Sequence, residues 1–308
     1  MKIIVTGKHD ELTRGRIRRA AGDAHVEFTP DLDGGIESAD AVVGNVPDAL
    51  LARAPRLRWV HSPAAGVDAV LSDGLLASEV TLTSSTGNGA IPLAEQAMLL
   101  VLMLDRDAPR WSRAQAERRW DRHVHGELAG ATIGLYGLGH SGLDLAAKAK
   151  AFHMRVLGMR RSARPAPGVD ELLGQDELPR FLAESDYVVV TAPLTPATTG
   201  RFDRAAFAAM KRTACFVCVS RGGIADDEAL IDALRRGEIA GAGLDAHGVE
   251  PLPADSPFWT LPNVIVTPHN GATTAETARR GLDIMLDNLG RFARGEELRN
   301  VVDKAAGY

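Results

Sequence analysis

Short apolar runs alternate with stretches of helical periodicity along the whole chain. In the first third, "KIIVTG", "AVVGN", "LRWVHSP" and "VTLTSS" read as strands, and apolar residues recur at helical spacing between them. From Ile91 to Met103, "IPLAEQAMLLVLM" predicts a long helix with Pro92 in its first turn, where a missing N–H costs nothing. "RWSRAQAERRW" leads into six more strand-like runs: "TIGLYG", "MRVLGM", "DYVVVTAPL", "ACFVCVS", "GAGLDAH" and "VIVTPH". After His269 the pattern is helical to about Arg294, and a final "LRNVV" returns to the first part of the chain. Strands that alternate with helices predict parallel sheets in α/β layers. The expected architecture is two Rossmann-like/flavodoxin-like α/β domains with doubly wound parallel sheets. Residues 1–102 and 283–308 would form one domain, built from both chain ends, and residues 103–282 the other.

Composition narrows the class. With 308 residues, 45% of them hydrophobic, 24% charged and a net charge of −5, the chain has the make-up of a soluble globular protein. So mild an acidic balance gives no electrostatic reason to expect nucleic acid or a membrane as partner. The longest apolar run, near Leu99, is broken by Asp105, too short to span a bilayer. The opening "MKIIVTGKHD" reads as a strand and turn rather than a signal peptide, so a cytoplasmic protein is expected. Cys215 and Cys218 form a C-x-x-C, a spacing used in redox and zinc sites. On a strand, however, positions three apart point to opposite faces, and no second pair completes a metal site. Two small core residues, and no metal, are the expectation.

The strand "TIGLYG" runs into Gly137, Gly139 and Gly142, a G-x-G-x-x-G that opens a predicted helix from about Ser141. Gly137 suits the tight turn, Gly139 a close approach of pyrophosphate, and Gly142 close helix–strand packing. The helix N-terminus adds unpaired N–H groups for the phosphates. An acidic residue about 20 positions on would hold the ribose hydroxyls of NAD. Arg160 stands there instead, followed by Arg161, Ser162 and Arg164. A guanidinium cannot accept from a hydroxyl but matches a phosphate. NADP is therefore the expected preferred cofactor, with NAD as the alternative.

Three more residues fall at predicted strand ends, where open α/β sheets bind ligands. Arg221 follows "VCVS", with a planar fork suited to a carboxylate. Asp245 closes "GAGLD", with Glu250 in the next loop, and His269 closes "VIVTPH". Any one of them has a bland explanation as a surface ion pair, a solvated side chain or a helix cap. Their recurrence downstream of a dinucleotide turn points to catalysis.

At this point the chain resembles the D-isomer-specific 2-hydroxyacid dehydrogenases. The likeness rests on "ELAGATIGLYGLGHSG", "APLTPATTGRFDRAAFAAMKRTACFVCVSRGGIADDEALIDALRRGEIAGAGLD", "EPLPADSPFWTLPNVIVTPHNGA" and, more weakly, "HSPAAGVD". It implies that 103–282 binds NAD(P), that the domain of both chain ends is the substrate (catalytic) domain, and that the active site lies in the interdomain cleft. It implies catalytic roles for Arg221, Glu250 and His269. His269 would pass the proton, Glu250 would favour and orient its imidazolium, and Arg221 would bind the substrate carboxylate and polarise the carbonyl. Asp245 would hold the nicotinamide carboxamide, and backbone amides around Ala65 and Gly66 the substrate carboxylate. Leu138, His140, Ser141, Pro193, Val219, Ser220, Arg221, His269 and Gly271 complete the implied cofactor set. A homodimer through the cofactor domain is implied as well.

The chain departs from the family pattern in places. Cys218 replaces an Asn before "SRG", and His153 replaces a common Gly before Met154, read as surface variation. His247 stands where Phe is common; a half-exposed loop histidine is expected rather than a substrate-selecting group. Trp111, Trp120 and Trp259 are expected to fill core or interface rather than line the cleft. The leading function is a glyoxylate/hydroxypyruvate-type 2-keto acid reductase that prefers NADP(H). The alternatives are an NAD-dependent dehydrogenase of the same fold on another small acid, such as D-lactate or phosphite, and a nucleotide-sensing, co-repressor-like protein without catalysis. Formate-oxidising relatives usually carry Gln at the Glu250 position, so the Glu250–His269 pair argues against that chemistry.

Overall fold

A computed structural model describes residues 1–32, 35–161 and 164–308. Two compact units divide it: Met1–Gly89 with Thr274–Tyr308, and Ala90–Thr273.

The first unit holds five strands, β1 (Lys2–Thr6), β2 (His25–Thr29), β3 (Ala41–Val43), β4 (Trp59–Ser62) and β5 (Thr81–Ser84). They pair in parallel in the order β2-β1-β3-β4-β5, the flavodoxin-like arrangement. Alternation along β1 buries Ile3 and Val5 on one face, with Trp59 and with Met285 and Leu289 of the helix Ala275–Arg294. Ile4 joins Val42, Val60, Leu75 and Leu82 on the other. The chain end returns as expected: Val301 bridges antiparallel to Thr83.

The second unit holds β6 (Thr132–Tyr136), β7 (Arg155–Met159), β8 (Glu171–Leu173), β9 (Tyr187–Val190), β10 (Cys215–Cys218), β11 (Gly241–Leu244) and β12 (Val264–Val266). All pairings are parallel, in the order β12-β11-β10-β9-β6-β7-β8. Strand order reverses between β6 and β9, so the crevice at their carboxyl ends is a topological switch point. Cys215 and Cys218 are buried in opposite core layers. Burial pushes their thiols up to about 12 and about 11.

The boundaries differ from those expected at 102/103 and 282/283. Each long helix packs as one body, so neither is cut. Ala94, Ala97, Leu100 and Val101 of the helix Ala90–Asp105 share a core with Leu145, Ala146 and Ala149 of the helix His140–Ala151. The helix Ala275–Arg294 belongs wholly to the first unit. β2 and β8, absent from the apolar pattern, are edge strands with mostly half-buried residues. Among the described residues, no helix is long and apolar enough to cross a membrane.

Candidate active site

Because the seven strands of the second unit run parallel, their carboxyl ends lie along one edge of the sheet. The glycine turn follows β6, Arg160 follows β7, Pro193 lies just past β9, Arg221 past β10, Asp245 directly follows β11, and His269 lies just past β12. Residues scattered over more than a hundred positions of sequence thus share one rim of one sheet.

The glycine turn has the shape the spacing predicts. Gly137 has φ +107°, and a Cβ there would sit 2.5 Å from the Ala192 nitrogen. A Cβ on Gly142 would lie 2.2 Å from the Gly137 carbonyl oxygen, so that glycine lets the helix His140–Ala151 start against the turn. Gly139 differs: a Cβ there would meet no atom within 4 Å. Folding therefore does not require glycine at 139, whereas a pyrophosphate drawn onto the helix N-terminus does. Gly139 is the helix N-cap and supplies no side-chain hydrogen bond, which leaves the first-turn amides of His140 and Ser141 for such a group. Leu138 is buried in the core beneath.

Arg160 is tied to this turn by register. Tyr136 pairs with Met159, and the Gly137 N–H donates to the Met159 carbonyl at 2.9 Å. The next residue is Arg160, whose guanidinium donates to the backbone carbonyls of Arg164 and Pro165. Arg161 beside it is exposed, and Ser162 lies outside the described residues.

At the other end of the rim, both carboxylate oxygens of Glu250 lie within hydrogen-bond reach of His269 Nδ1, at 2.9 and 2.8 Å. A carboxylate only accepts, so Nδ1 carries a hydrogen and Nε2 is the nitrogen left for proton exchange. Burial disfavours the ionised Glu250, but the His247 N–H and the His269 ring outweigh it and hold this carboxyl below the usual range. His269 has φ +50°, in the left-handed region, which its surroundings must enforce. Asp245 does much of that. Its fully buried carboxylate accepts from Thr267 Oγ1 at 2.6 Å, from the Asn270 N–H at 3.2 Å and from the Gly271 N–H at 3.0 Å. It thereby clamps the turn 267–271, in addition to the carboxamide contact that the resemblance implies for it.

Arg221 is half-buried, its Nη1 donating to the Ser220 carbonyl at 2.8 Å. Cys218 Sγ donates to the Arg221 carbonyl at 3.3 Å, so the residue that stands where the resemblance has Asn itself pins this turn. Val219 is buried, and the Ser220 hydroxyl is buried with no hydrogen-bond partner. In the first unit, Ala65 is exposed and Gly66 half-buried. The Ser85 N–H donates to both Ser62 O and Ala64 O, at 3.2 and 3.1 Å, and so shapes the loop that carries them.

Two expectations need correction. His247 is not half-exposed: 7% of its surface is accessible, because its ring turns inward to the Thr267 carbonyl at 2.9 Å. Trp111, Trp120 and Trp259, expected in core or interface, do not fill the core: all are exposed in the single chain, Trp120 by 89%, so of the two expected places only the core is excluded. Gln96 was not singled out from the sequence. Its Nε2 donates to Thr267 Oγ1 at 3.0 Å, and the signal available was one amide within the apolar run "PLAEQAMLLV".

Comparison with known proteins identifies the family. Residues 98–271 match the family model for the NAD binding domain of D-isomer specific 2-hydroxyacid dehydrogenases. Glyoxylate/hydroxypyruvate reductase B of Escherichia fergusonii is 32% identical over 287 residues, 91% of this chain and 87% of that one. A D-isomer specific 2-hydroxyacid dehydrogenase from Xanthobacter autotrophicus Py2, solved with NADPH and MES, superposes with a TM-score of 0.87 at 34% identity, over 99% of both chains. The NADPH-dependent glyoxylate/hydroxypyruvate reductase of Sinorhizobium meliloti, solved with NADP and sulfate, gives 0.86 at 31% identity, over 100% of this chain and 99% of that one. Against D-3-phosphoglycerate dehydrogenases, such as that of Methanocaldococcus jannaschii, the chain spans about half (52%) of the relative's length.

Proposed function

The chain belongs to the D-isomer specific 2-hydroxyacid dehydrogenase family, and from that premise we propose that it is an NADPH-preferring reductase of small 2-keto acids of the glyoxylate/hydroxypyruvate type. The observation that carries the reading is the His269–Glu250 pair, fixed at 2.8–2.9 Å on the sheet edge that also bears the glycine turn. A bound nicotinamide supplies one chemistry, a hydride for the carbonyl carbon of the keto acid. His269 gives a proton from Nε2 to the carbonyl oxygen, and the product is the 2-hydroxy acid. Glu250 keeps the ring in the tautomer that leaves Nε2 available and fixes its orientation. Arg221 binds the substrate carboxylate and polarises the carbonyl, and the backbone amides at Ala65 and Gly66 are assigned to the same carboxylate from the resemblance.

Gly137, Gly139 and Gly142 with the helix His140–Ala151 take the pyrophosphate, and Arg160 and Arg161 the 2′-phosphate of NADP. A homodimer through the cofactor-binding unit is part of the same reading. Trp120 and Val124, 89% and 99% exposed, offer that unit apolar surface to bury. The deciding experiment is a panel of initial rates with glyoxylate, hydroxypyruvate, pyruvate and phenylpyruvate, each with NADPH and with NADH. Fastest turnover of the two small acids with NADPH is expected. No turnover of any acid with either cofactor would leave a nucleotide-binding protein without this activity.

A further inference from the structure

Three loops of the active site converge on one residue that the proposed chemistry does not use. The main-chain N–H of His247 donates to Glu250 Oε1 at 2.8 Å. Its ring Nε2 lies 2.9 Å from the Thr267 carbonyl oxygen. A carbonyl only accepts, so Nε2 carries the hydrogen. The same carbonyl accepts the main-chain N–H of His269 at 3.0 Å. On its third side the His247 backbone presses on Gly222, beside Arg221: a Cβ on Gly222 would lie 1.9 Å from the His247 carbonyl carbon.

The ring is not there for packing alone. Its Nδ1 is buried and has no hydrogen-bond partner. An unsatisfied buried nitrogen is costly, and a phenyl ring would fill similar space without that cost. What a phenyl ring cannot do is donate to Thr267. That bond matters because the turn it braces holds His269 at φ +50°. Asp245 clamps the turn through Thr267 Oγ1 and the amides of Asn270 and Gly271. His247 clamps the one carbonyl to which the His269 backbone is itself tied.

We infer that His247 is a positioning residue for the acid–base pair, with its backbone N–H setting Glu250 and its ring N–H setting the turn of His269. The inference rests on the proposed role of His269 in proton transfer. Loosening either end moves the donor nitrogen relative to the substrate, and misplacement of about 1 Å can cost roughly 100-fold in rate.

The test compares His247→Phe, which keeps a ring and loses the donor, with His247→Gln, which keeps an N–H of similar reach. In the Phe variant kcat for the best acid of the panel should fall about 10- to 100-fold. The Kd for NADPH should change far less than kcat, since the glycine turn and Arg160 are untouched and only His269 and Gly271 of the implied cofactor set lie in the braced turn. The solvent deuterium isotope effect on kcat should rise as proton transfer slows. Independently of turnover, amide hydrogen exchange across 267–271 should quicken in the Phe variant. His247→Gln should restore most of each property. If the Phe variant is insoluble, His247→Asn replaces it, its amide one methylene short of Thr267. Wild-type kcat and exchange in the variant without the donor, or equal losses in both variants, overturns the inference. A His269→Ala enzyme with wild-type kcat would instead sink the acid–base reading itself.

Discussion

His269 Nδ1 meets both carboxylate oxygens of Glu250, at 2.9 and 2.8 Å. Two acceptors on one ring nitrogen settle the tautomer and restrict rotation of the imidazole, so Nε2 is the only nitrogen of the ring left to exchange a proton. The carboxyl is kept ionised by the His247 N–H and by the ring, against the burial that opposes it.

His269→Ala should therefore lower kcat for keto-acid reduction by about 10²–10⁴, the usual scale for losing a general acid. Binding of NADPH, measured by fluorescence titration, should change little. Glu250→Gln preserves shape but replaces one acceptor oxygen with an NH2 donor, which faces the Nδ1–H and favours the wrong tautomer. Its kcat should fall by roughly 10- to 100-fold, as for other partners that orient a functional histidine. Undiminished kcat in the Glu250→Gln enzyme would show that the pair does not set the tautomer.

Arg160 follows Met159, whose carbonyl accepts from the Gly137 N–H. In the proposed reading Arg160, the first residue past β7, stands at the position where an acidic residue would read the ribose of NAD. Each charge-assisted contact to a phosphate contributes about 1.5–3 kcal/mol, and about 1.4 kcal/mol is tenfold in affinity. Allowing for solvent exposure, two arginines support a preference for NADPH of roughly one to three decades. Arg160→Asp with Arg161→Ala should abolish or reverse it. The measurement is kcat/KM for each cofactor in both proteins, and equal wild-type values would remove these arginines from phosphate recognition.

What was legible in the sequence follows from burial. The inner strands of both sheets are apolar on both faces and announce themselves, β9 as "YVVV" and β10 as "CFVC". β2 and β8 were missed because an edge strand with mostly half-buried residues leaves no continuous apolar run. Glu250 and His269 were readable because their types and strand-end positions imply their chemistry. The inward turn of His247 was not, because it depends on a carbonyl 20 residues away that no local pattern reveals. Gln96 was hidden for the same reason: its partners Asp245 and Thr267 lie 149 and 171 residues further on.

His61 gives the first unit a pH-dependent stability. It is fully buried on β4, with Nδ1 2.8 Å from Thr83 Oγ1 and Nε2 3.3 Å from Ser85 Oγ. Burial lowers its pKa from 6.5 to about 4. In the unfolded chain the ring takes up a proton below about 6.5, while in the fold it stays neutral until about 4. The unfolded state then binds more protons, so stability is full above the unfolded value and falls as pH drops from 6.5 through 4. The loss should approach about 3 kcal/mol, because each tenfold weakening of proton binding is worth about 1.4 kcal/mol. Denaturant melts from pH 4 to pH 7 should show this slope, and His61→Gln should flatten it. An unchanged slope in that variant would mean that other groups carry the acid sensitivity.

His153 is one of several non-glycine residues of the cofactor-binding unit with a left-handed backbone, and its replacement should stabilise the protein. The helix His140–Ala151 ends at Phe152, and His153 follows with φ +59°. The His153 N–H donates to the Lys150 carbonyl at 3.0 Å, and the Met154 N–H to the Ala149 carbonyl at 3.1 Å. That pair of bonds is a Schellman ending, in which the left-handed position is usually glycine. Met154 and Ala149 are both buried in the same core layer, which supplies the hydrophobic contact such endings carry. The motif is therefore complete except for the residue type at its left-handed position. A side chain there costs about 1–2 kcal/mol, and glycine returns part of that through the greater freedom of the unfolded chain. His153→Gly should gain about 0.5–1 kcal/mol, which raises Tm by roughly 1–4 °C for a unit of this size. The imidazole is exposed, so kcat and cofactor affinity should not change. His153→Ala, which keeps a Cβ in the same backbone conformation, should show no such gain. Equal Tm values for the Gly and Ala variants would mean that the backbone at 153 stores no strain for glycine to release.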